Sequence, residues 1–236
     1  MNWLARTELL LGTEKIAKLK NSHVLVVGLG GVGAYAAEML CRAGIGKMTI
    51  VDGDNIEVSN INRQLPATLS NVGKMKADIL AQRFVDINPE IEIEVINEYL
   101  RDERMLEILQ KPYDYVVDAI DTLSPKVYLI FHSLQLGLKI VSSMGSGGKI
   151  NPELVKTTDI SKSYNCKLAR MLRKRLGRLG VRKGFKVVFS AEEVPDEAVL
   201  IEEGINKKSV VGTISYMPPV FGCHIAAVVI NDLINS

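Results

Sequence analysis

The chain has 236 residues, 47% of them hydrophobic and 24% charged, with a formal net charge of +2. These values exclude a disordered or fibrous chain and suit one globular domain with one sizeable core. No apolar run approaches the length of a membrane span, so no membrane contact is expected. The N-terminal MNWLARTELLLG lacks the small-residue cleavage pattern of a secretory signal, which implies a cytoplasmic protein. Cys41, Cys166 and Cys223 are scattered without a C-x-x-C pair, so neither disulfides nor a zinc site is expected.

Residues 1–20 are expected to form a helical segment ahead of the core. Residues 24–27 read as a buried strand, and they feed Gly28-Leu29-Gly30-Gly31-Val32-Gly33, a G-x-G-x-x-G turn that opens a helix over residues 32–43. Residues 48–51 form a short strand ending at Asp52. Residues 74–86 have helical spacing, closed by Asn88-Pro89. Residues 91–96 alternate Ile and Glu before Val95, as a half-exposed strand does. A helix over 101–109, a strand over 115–119, a helix over 125–136 with Pro125 in its first turn and a strand over 139–143 follow. This alternation implies an α/β, Rossmann-like, mostly parallel sheet with helices on both faces, residues 21–145 forming its nucleotide-binding core. Beyond it, residues 145–148 read as a loop and 166–179 as a basic helix. Residues 186–189 and 210–213 read as strands that extend the sheet, and 218–233 as a C-terminal helix entered by Pro-Pro. The region 146–236 is assigned to the substrate side of a single domain, 1–236.

Gly28 permits the tight turn, Gly30 the close approach of a phosphate, and Gly33 close helix–strand packing, with Gly31 completing the loop. The amides that start the following helix would face the anion. Asp52, at the end of the second strand, is placed to accept hydrogen bonds from ribose hydroxyls. NAD enzymes share that arrangement, so an NAD-dependent oxidoreductase stays open at this point. Asp54 reads equally as a supporting acid and as a solvated loop residue. The run Ser59-Asn60-Ile61-Asn62-Arg63-Gln64 adds amide and guanidinium donors. Arg63 and Lys76 together would clamp a triphosphate, a need that hydride transfer does not share. Asp118 and Asp121 close the strand at 115–119. Asp121, beyond the strand, is the better candidate to hold Mg²⁺ with phosphate oxygens, and Asp118 reads as a cap for the turn.

The combination G28-L-G-G-V-G33, D52-G-D54, S59-N-I-N-R-Q64, V72-G-K-M-K76 and D118-A-I-D121 resembles the E1-like superfamily of adenylating enzymes. G212-T-I-S-Y-M-P-P-V-F-G222 resembles the late segment of that fold, so the likeness spans nearly the whole chain. It implies ATP and Mg²⁺ as ligands. Asp52 would then bind ribose, Asn60 line the nucleotide pocket, Arg63 and Lys76 contact phosphates, and Asp121 bind the metal. Arg6 resembles an arginine that crosses a dimer interface to the partner's ATP, which implies a homodimer. Within the superfamily the chain is most similar to the tRNA threonylcarbamoyladenosine dehydratase group: the zinc cysteines of the thiamine and molybdopterin branches are absent, and D159-I-S-K-S-Y-N-C-K-L-A-R170 matches the dehydratases. That likeness implies a tRNA carrying N6-threonylcarbamoyladenosine, activation of its threonyl carboxylate as the acyl-adenylate, and closure to a ring.

Residues 162–186 hold ten Lys and Arg and no Asp or Glu, leaving nineteen basic and twenty-seven acidic residues elsewhere. A basic block on an acidic body suits tRNA, with Leu and Met holding one helix face to the body while Arg170, Arg173, Lys174, Arg178 and Lys183 meet phosphates. The chief alternative is a small acidic sulfur-carrier protein with a C-terminal Gly-Gly carboxylate, as a sulfur-transfer partner. Cys166 reads as incidental, Cys223 as a core residue and His132 as structural. His224 stays a minor candidate.

Overall fold

Every residue of His23–Val27 (β1) is buried, because Val24 and Val26 project to one face of the sheet while Leu25 and Val27 project to the other. In the computed structural model, which describes residues 3–201 and 209–236, this strand lies inside a seven-stranded sheet. The other strands are Lys47–Val51 (β2), Glu92–Ile96 (β3), Tyr115–Asp118 (β4), Ile140–Ser143 (β5), Val155–Asp159 (β6) and Lys186–Ser190 (β7). Their order is β3-β2-β1-β4-β5-β7-β6, all parallel except β6, which pairs antiparallel with β7 at the edge. Val27 is level with Val51 on one side and with Asp118 on the other. The carboxyl ends of β2, β1 and β4 therefore open together where the strand order reverses, the crevice in which such sheets bind ligand.

Helices Ala5–Leu11 (α1), Thr13–Asn21 (α2), Gly33–Arg42 (α3), Lys76–Ile87 (α4), Asp102–Leu109 (α5), Leu123–Gln135 (α6), Lys167–Arg178 (α7) and Met217–Ile234 (α8) complete the fold. Residues from α2, α3, α4 and α8 bury one face of the sheet, and residues from α5, α6 and α7 bury the other. The expected doubly covered α/β sheet is present, with element boundaries within about two residues of those read from the sequence.

Three expectations change. Residues 209–211 (Ser209–Val211, β9) do not extend the sheet; they pair with Val199–Ile201 (β8) in a separate antiparallel ribbon. The strand β6 was not foreseen, since Val-Lys-Thr-Thr-Asp has no apolar alternation and its pairing with β7 defines it. A third correction concerns α8. Its 18 residues have a mean hydropathy of 1.5, long and apolar enough to cross a membrane, where no such run was expected. Its apolar side chains are instead packed inward: Met217, Phe221, Ile225 and Val229 recur every fourth residue and are fully buried beside α3. Gly222 lets the two helices touch, because a Cβ there would lie 2.7 Å from the Val32 carbonyl oxygen.

Candidate active site

The glycine turn divides its work among four positions. Gly28 has φ +89°, and a Cβ there would meet the Ala119 carbonyl oxygen at 2.7 Å. A Cβ on Gly33 would lie 1.8 Å from the Gly28 carbonyl oxygen, so α3 can start this close to β1 at no other residue type. Gly31 is held against Pro218 of α8, whose Cβ would be 2.9 Å away. Gly30 faces open space, with Gln64 Nε2 at 3.8 Å as its one neighbour. Among the described residues the amides of Gly30, Gly31 and Val32 make no backbone hydrogen bond. Three free N–H groups at a helix start, beside a glycine with room in front of it, form an anion cradle.

Asp52, nearly buried at the end of β2, accepts from Leu29 N at 2.6 Å and from Asp54 N at 2.8 Å. Burial pushes its carboxyl up, more than the Lys76 charge and the two amides pull it down. Each oxygen keeps a lone pair for a ribose hydroxyl. Asp54 is no solvated loop residue: its carboxylate binds Lys76 Nζ at 2.8 Å and the Tyr99 hydroxyl. That bond drives the Tyr99 phenol up to about 12. Tyr99, which the sequence reading missed, lies flat against Gly53 and beside Arg101, whose guanidinium carbon is 5.8 Å from its ring centre.

Asn60 is buried and caps its own short turn, accepting from Glu57 N at 3.1 Å. Arg63 Nη1 donates to the Ser59 carbonyl and to Asn62 Oδ1, both at 2.8 Å, which fixes the guanidinium, while its backbone carbonyl lies beside Gly31 of the glycine turn. Gln64 Oε1 is buried without a hydrogen-bond partner among the described residues. An orphaned amide beside an open glycine cradle fits a bound nucleotide. Asp118 caps the β4–α6 turn as expected, accepting from Ile120 N at 3.1 Å. It is also fully buried in a triad with Lys126 Nζ at 2.7 Å and Ser142 Oγ at 2.6 Å. The turn so held presents Asp121, exposed, to the same space. One carboxylate with phosphate oxygens is the usual protein share of a Mg²⁺ site.

Gly28, Gly30, Gly31, Asp52, Asp54, Asn60, Arg63, Gln64, Lys76, Tyr99 and Asp121 line one cleft of about 1870 Å³, whereas Gly33 and the Asp118 triad lie behind its wall. Small-ligand pockets run to roughly 300–1,000 Å³, so a nucleotide leaves much of it free. The rest is walled by the loop after β5, including Gly145, Gly147 and Lys149, and by the start of α7, including Cys166, Lys167, Arg170 and Met171. α7 is held to the body by Ala169, Leu172 and Leu176, all fully buried. Met171 is half exposed and does not serve that anchoring face. Arg173 is likewise corrected: it is half-buried and spends Nη1 on the Ser163 carbonyl at 2.8 Å and on the Ser163 hydroxyl. Arg170, Lys174, Arg178 and Lys183 stay exposed. Cys166 is buried at the start of α7 on the cleft wall, whereas Cys223 is exposed on α8 and is no core residue. His132 stacks on Tyr128 and meets Phe131 edge-on, and His224 lies outside the cleft. Arg6 lies exposed on α1, outside its own chain's cleft.

A family model described as the ThiF family matches residues 4–235. The chain belongs to the ThiF family. This ThiF-family chain is 38% identical over 208 residues to a tRNA threonylcarbamoyladenosine dehydratase of Bacillus subtilis (strain 168), a match covering 88% of the chain and 80% of the relative. It is 38% identical over 193 residues to the protein of the same name from Escherichia coli (strain K12), covering 79% of the chain and 72% of the relative. The crystal structure of the E. coli tRNA N6-threonylcarbamoyladenosine dehydratase in complex with ATP superposes with a TM-score of 0.90. That alignment has 32% identity and covers 98% of this chain and 93% of that one.

Proposed function

We propose that this chain uses ATP to activate the threonyl carboxylate of N6-threonylcarbamoyladenosine in tRNA and then closes it to a ring. One observation carries the reading: a single cleft joins the glycine cradle to the basic helix α7, in a chain whose relatives bear the name of that dehydratase. A carboxylate resists weak nucleophiles until its oxygen belongs to a good leaving group, here AMP. The tethered ureido group then closes on it with the advantage of proximity. ATP is consumed as a substrate. In this reading its phosphates lie on the Gly30–Val32 amides, its ribose on Asp52, and Asn60 and Gln64 flank it. Arg63 and Lys76 offset charge as the α-phosphate is attacked, Lys76 leaving Asp54 to do so. A bound Mg²⁺ would supply positive charge to offset the negative charge of the phosphates. Asp121 is the residue that would hold it.

Arg170 and Lys174 meet the tRNA backbone, positioning it without reading sequence. A tRNA substrate accords with the cytoplasmic location expected from the sequence. Arg6 acts in a homodimer, on the partner's nucleotide. In support, α1 buries none of its own residues, and Leu9 and Leu10 are 89% and 81% exposed beside it. ATP–pyrophosphate exchange, run with modified tRNA and separately with a Gly-Gly carrier protein, tests the substrate. Stimulation by tRNA is expected, and stimulation by the carrier alone overturns the reading. Arg63→Ala and Asp121→Ala are expected to lower AMP formation about 10²–10³-fold. Unchanged rates would remove both residues from the site.

A further inference from the structure

Whichever atom of the ureido group attacks, oxygen or the adenine-attached nitrogen, one ureido N–H proton must leave during closure. The new bond forms to the acyl carbon, the acyl–oxygen bond to AMP breaks with its electron pair on the phosphate, and the proton needs an acceptor. The histidines provide none in the cleft: His23, His132 and His224 all lie outside its lining.

Lys149 sits in the loop after β5. That strand is two strand spacings from β1, about 10 Å, on the side of the cleft away from the ribose carboxylate of Asp52. The residue is only 3% exposed, yet it forms part of the cleft wall. Its amine donates to the carbonyl oxygen of Glu192 at 2.6 Å. The Glu192 carboxylate is engaged elsewhere, accepting from Ile150 N at 3.0 Å and Asn151 N at 2.9 Å. Among the described residues Lys149 has no ion-pair partner, in contrast to buried Lys76 and Lys126. Burial holds its ammonium below the usual lysine range, against the opposing pull of Cys166 at the start of α7 and of Glu192. A neutral amine that gives one hydrogen to a carbonyl keeps its lone pair free. The Glu192 contacts to Lys149, Ile150 and Asn151 fix the loop at and just after Lys149.

Resting on the dehydratase reading, we propose that Lys149 is the general base of ring closure. Its lone pair takes the ureido N–H proton as AMP departs, and the ammonium returns that proton to solvent. Two rates separate this role from others: ATP–pyrophosphate exchange reports adenylation, and loss of one water from the modified nucleoside, read by mass, reports closure. Lys149→Met is expected to keep exchange within about threefold and to slow closure by at least 10²-fold, the usual scale of general-base catalysis. Lys149→Arg keeps the charge but cannot deprotonate, and is expected to share the closure defect. Wild-type single-turnover closure is expected to rise with pH and level off below the range of an ordinary lysine.

Closure at the wild-type rate in either variant overturns the proposal. So does an equal fall of exchange and closure, which marks a binding role. A wild-type closure rate without the rising limb overturns it too, whether or not the variants fold. Wild-type enzyme that shows no tRNA-stimulated exchange refutes the dehydratase reading itself, a result distinct from all of these.

Discussion

Replacing Lys126 with Met tests how the turn that carries Asp121 is held. Lys126, Asp118 and Ser142 are all fully buried, and the ammonium makes two contacts, to Asp118 Oδ2 at 2.7 Å and Ser142 Oγ at 3.2 Å. Met fills a similar volume but leaves a buried carboxylate with only the Ser142 hydroxyl and Ile120 N to satisfy it. Breaking such a pair by removing one partner costs about 3–5 kcal/mol. With about 2.5 kcal/mol per molar urea, within the range for proteins of this kind, the unfolding midpoint falls by roughly 1.5 M. The double variant Lys126→Met/Asp118→Asn removes the orphaned charge and is expected to recover most of that loss. Urea titrations followed by circular dichroism on wild type, both single variants and the double supply the cycle. A loss below about 1 kcal/mol in Lys126→Met, or no recovery in the double, would refute the claim that the triad is a coupled buried ion pair.

Gly33→Ala is expected to weaken ATP binding at least tenfold by calorimetry, because its Cβ forces the Gly28 carbonyl aside at a strain of about 1–3 kcal/mol; Gly30→Ala, with open space before it, should fold with unchanged stability. Equal melting temperatures for Gly33→Ala and wild type would contradict this account. Arg170→Ala and Lys174→Ala should each lower the slope of log affinity for tRNA against log salt by about 0.7–0.9, and a slope that stays put would show that α7 meets no phosphates. Burial, then the Lys47 charge, depresses His23 below 6.5, against the carboxylates of Glu94 and Asp114 and the Pro112 carbonyl. Between its folded pKa and 6.5 the unfolded chain binds more protons, so stability is full above 6.5 and declines as pH falls through that window. His23→Gln should flatten the decline between pH 5 and 7; an unchanged slope in denaturant titrations would exclude His23 as its source.

The parts of the site that were legible are those where chemistry dictates residue type. Gly28 and Gly33 had to be glycine for reasons of contact, and the strand before them ended where a ligand crevice opens. Asp52 was legible because it closes a short apolar strand. Of the buried lysines only Lys76 was singled out, by its motif; Lys126 and Lys149 were not, since lysine in a sequence reads as surface. Lys126 did leave a trace: it shares a helix face with Leu129, Ile130 and Ser133, all fully buried. Arg173 left a similar one, four residues after Ala169 on the inner face of α7. Lys149 left none, because a loop has no period to betray which side faces in. The strand β6 and the ribbon of β8 and β9 depend on partners distant in sequence, and no local pattern announces a pairing.

The contact between Gly31 and Pro218 has a consequence for when the enzyme can first work. Every residue expected to touch nucleotide lies at or before Asp121, but the helix that braces the cradle, Met217–Ile234, is made about a hundred residues later. A partly made chain would carry the whole ligand set with nothing behind the turn to hold its amides in place. Nucleotide should therefore bind late, when α8 docks on α3, and leave the growing chain indifferent to the cell's ATP until then.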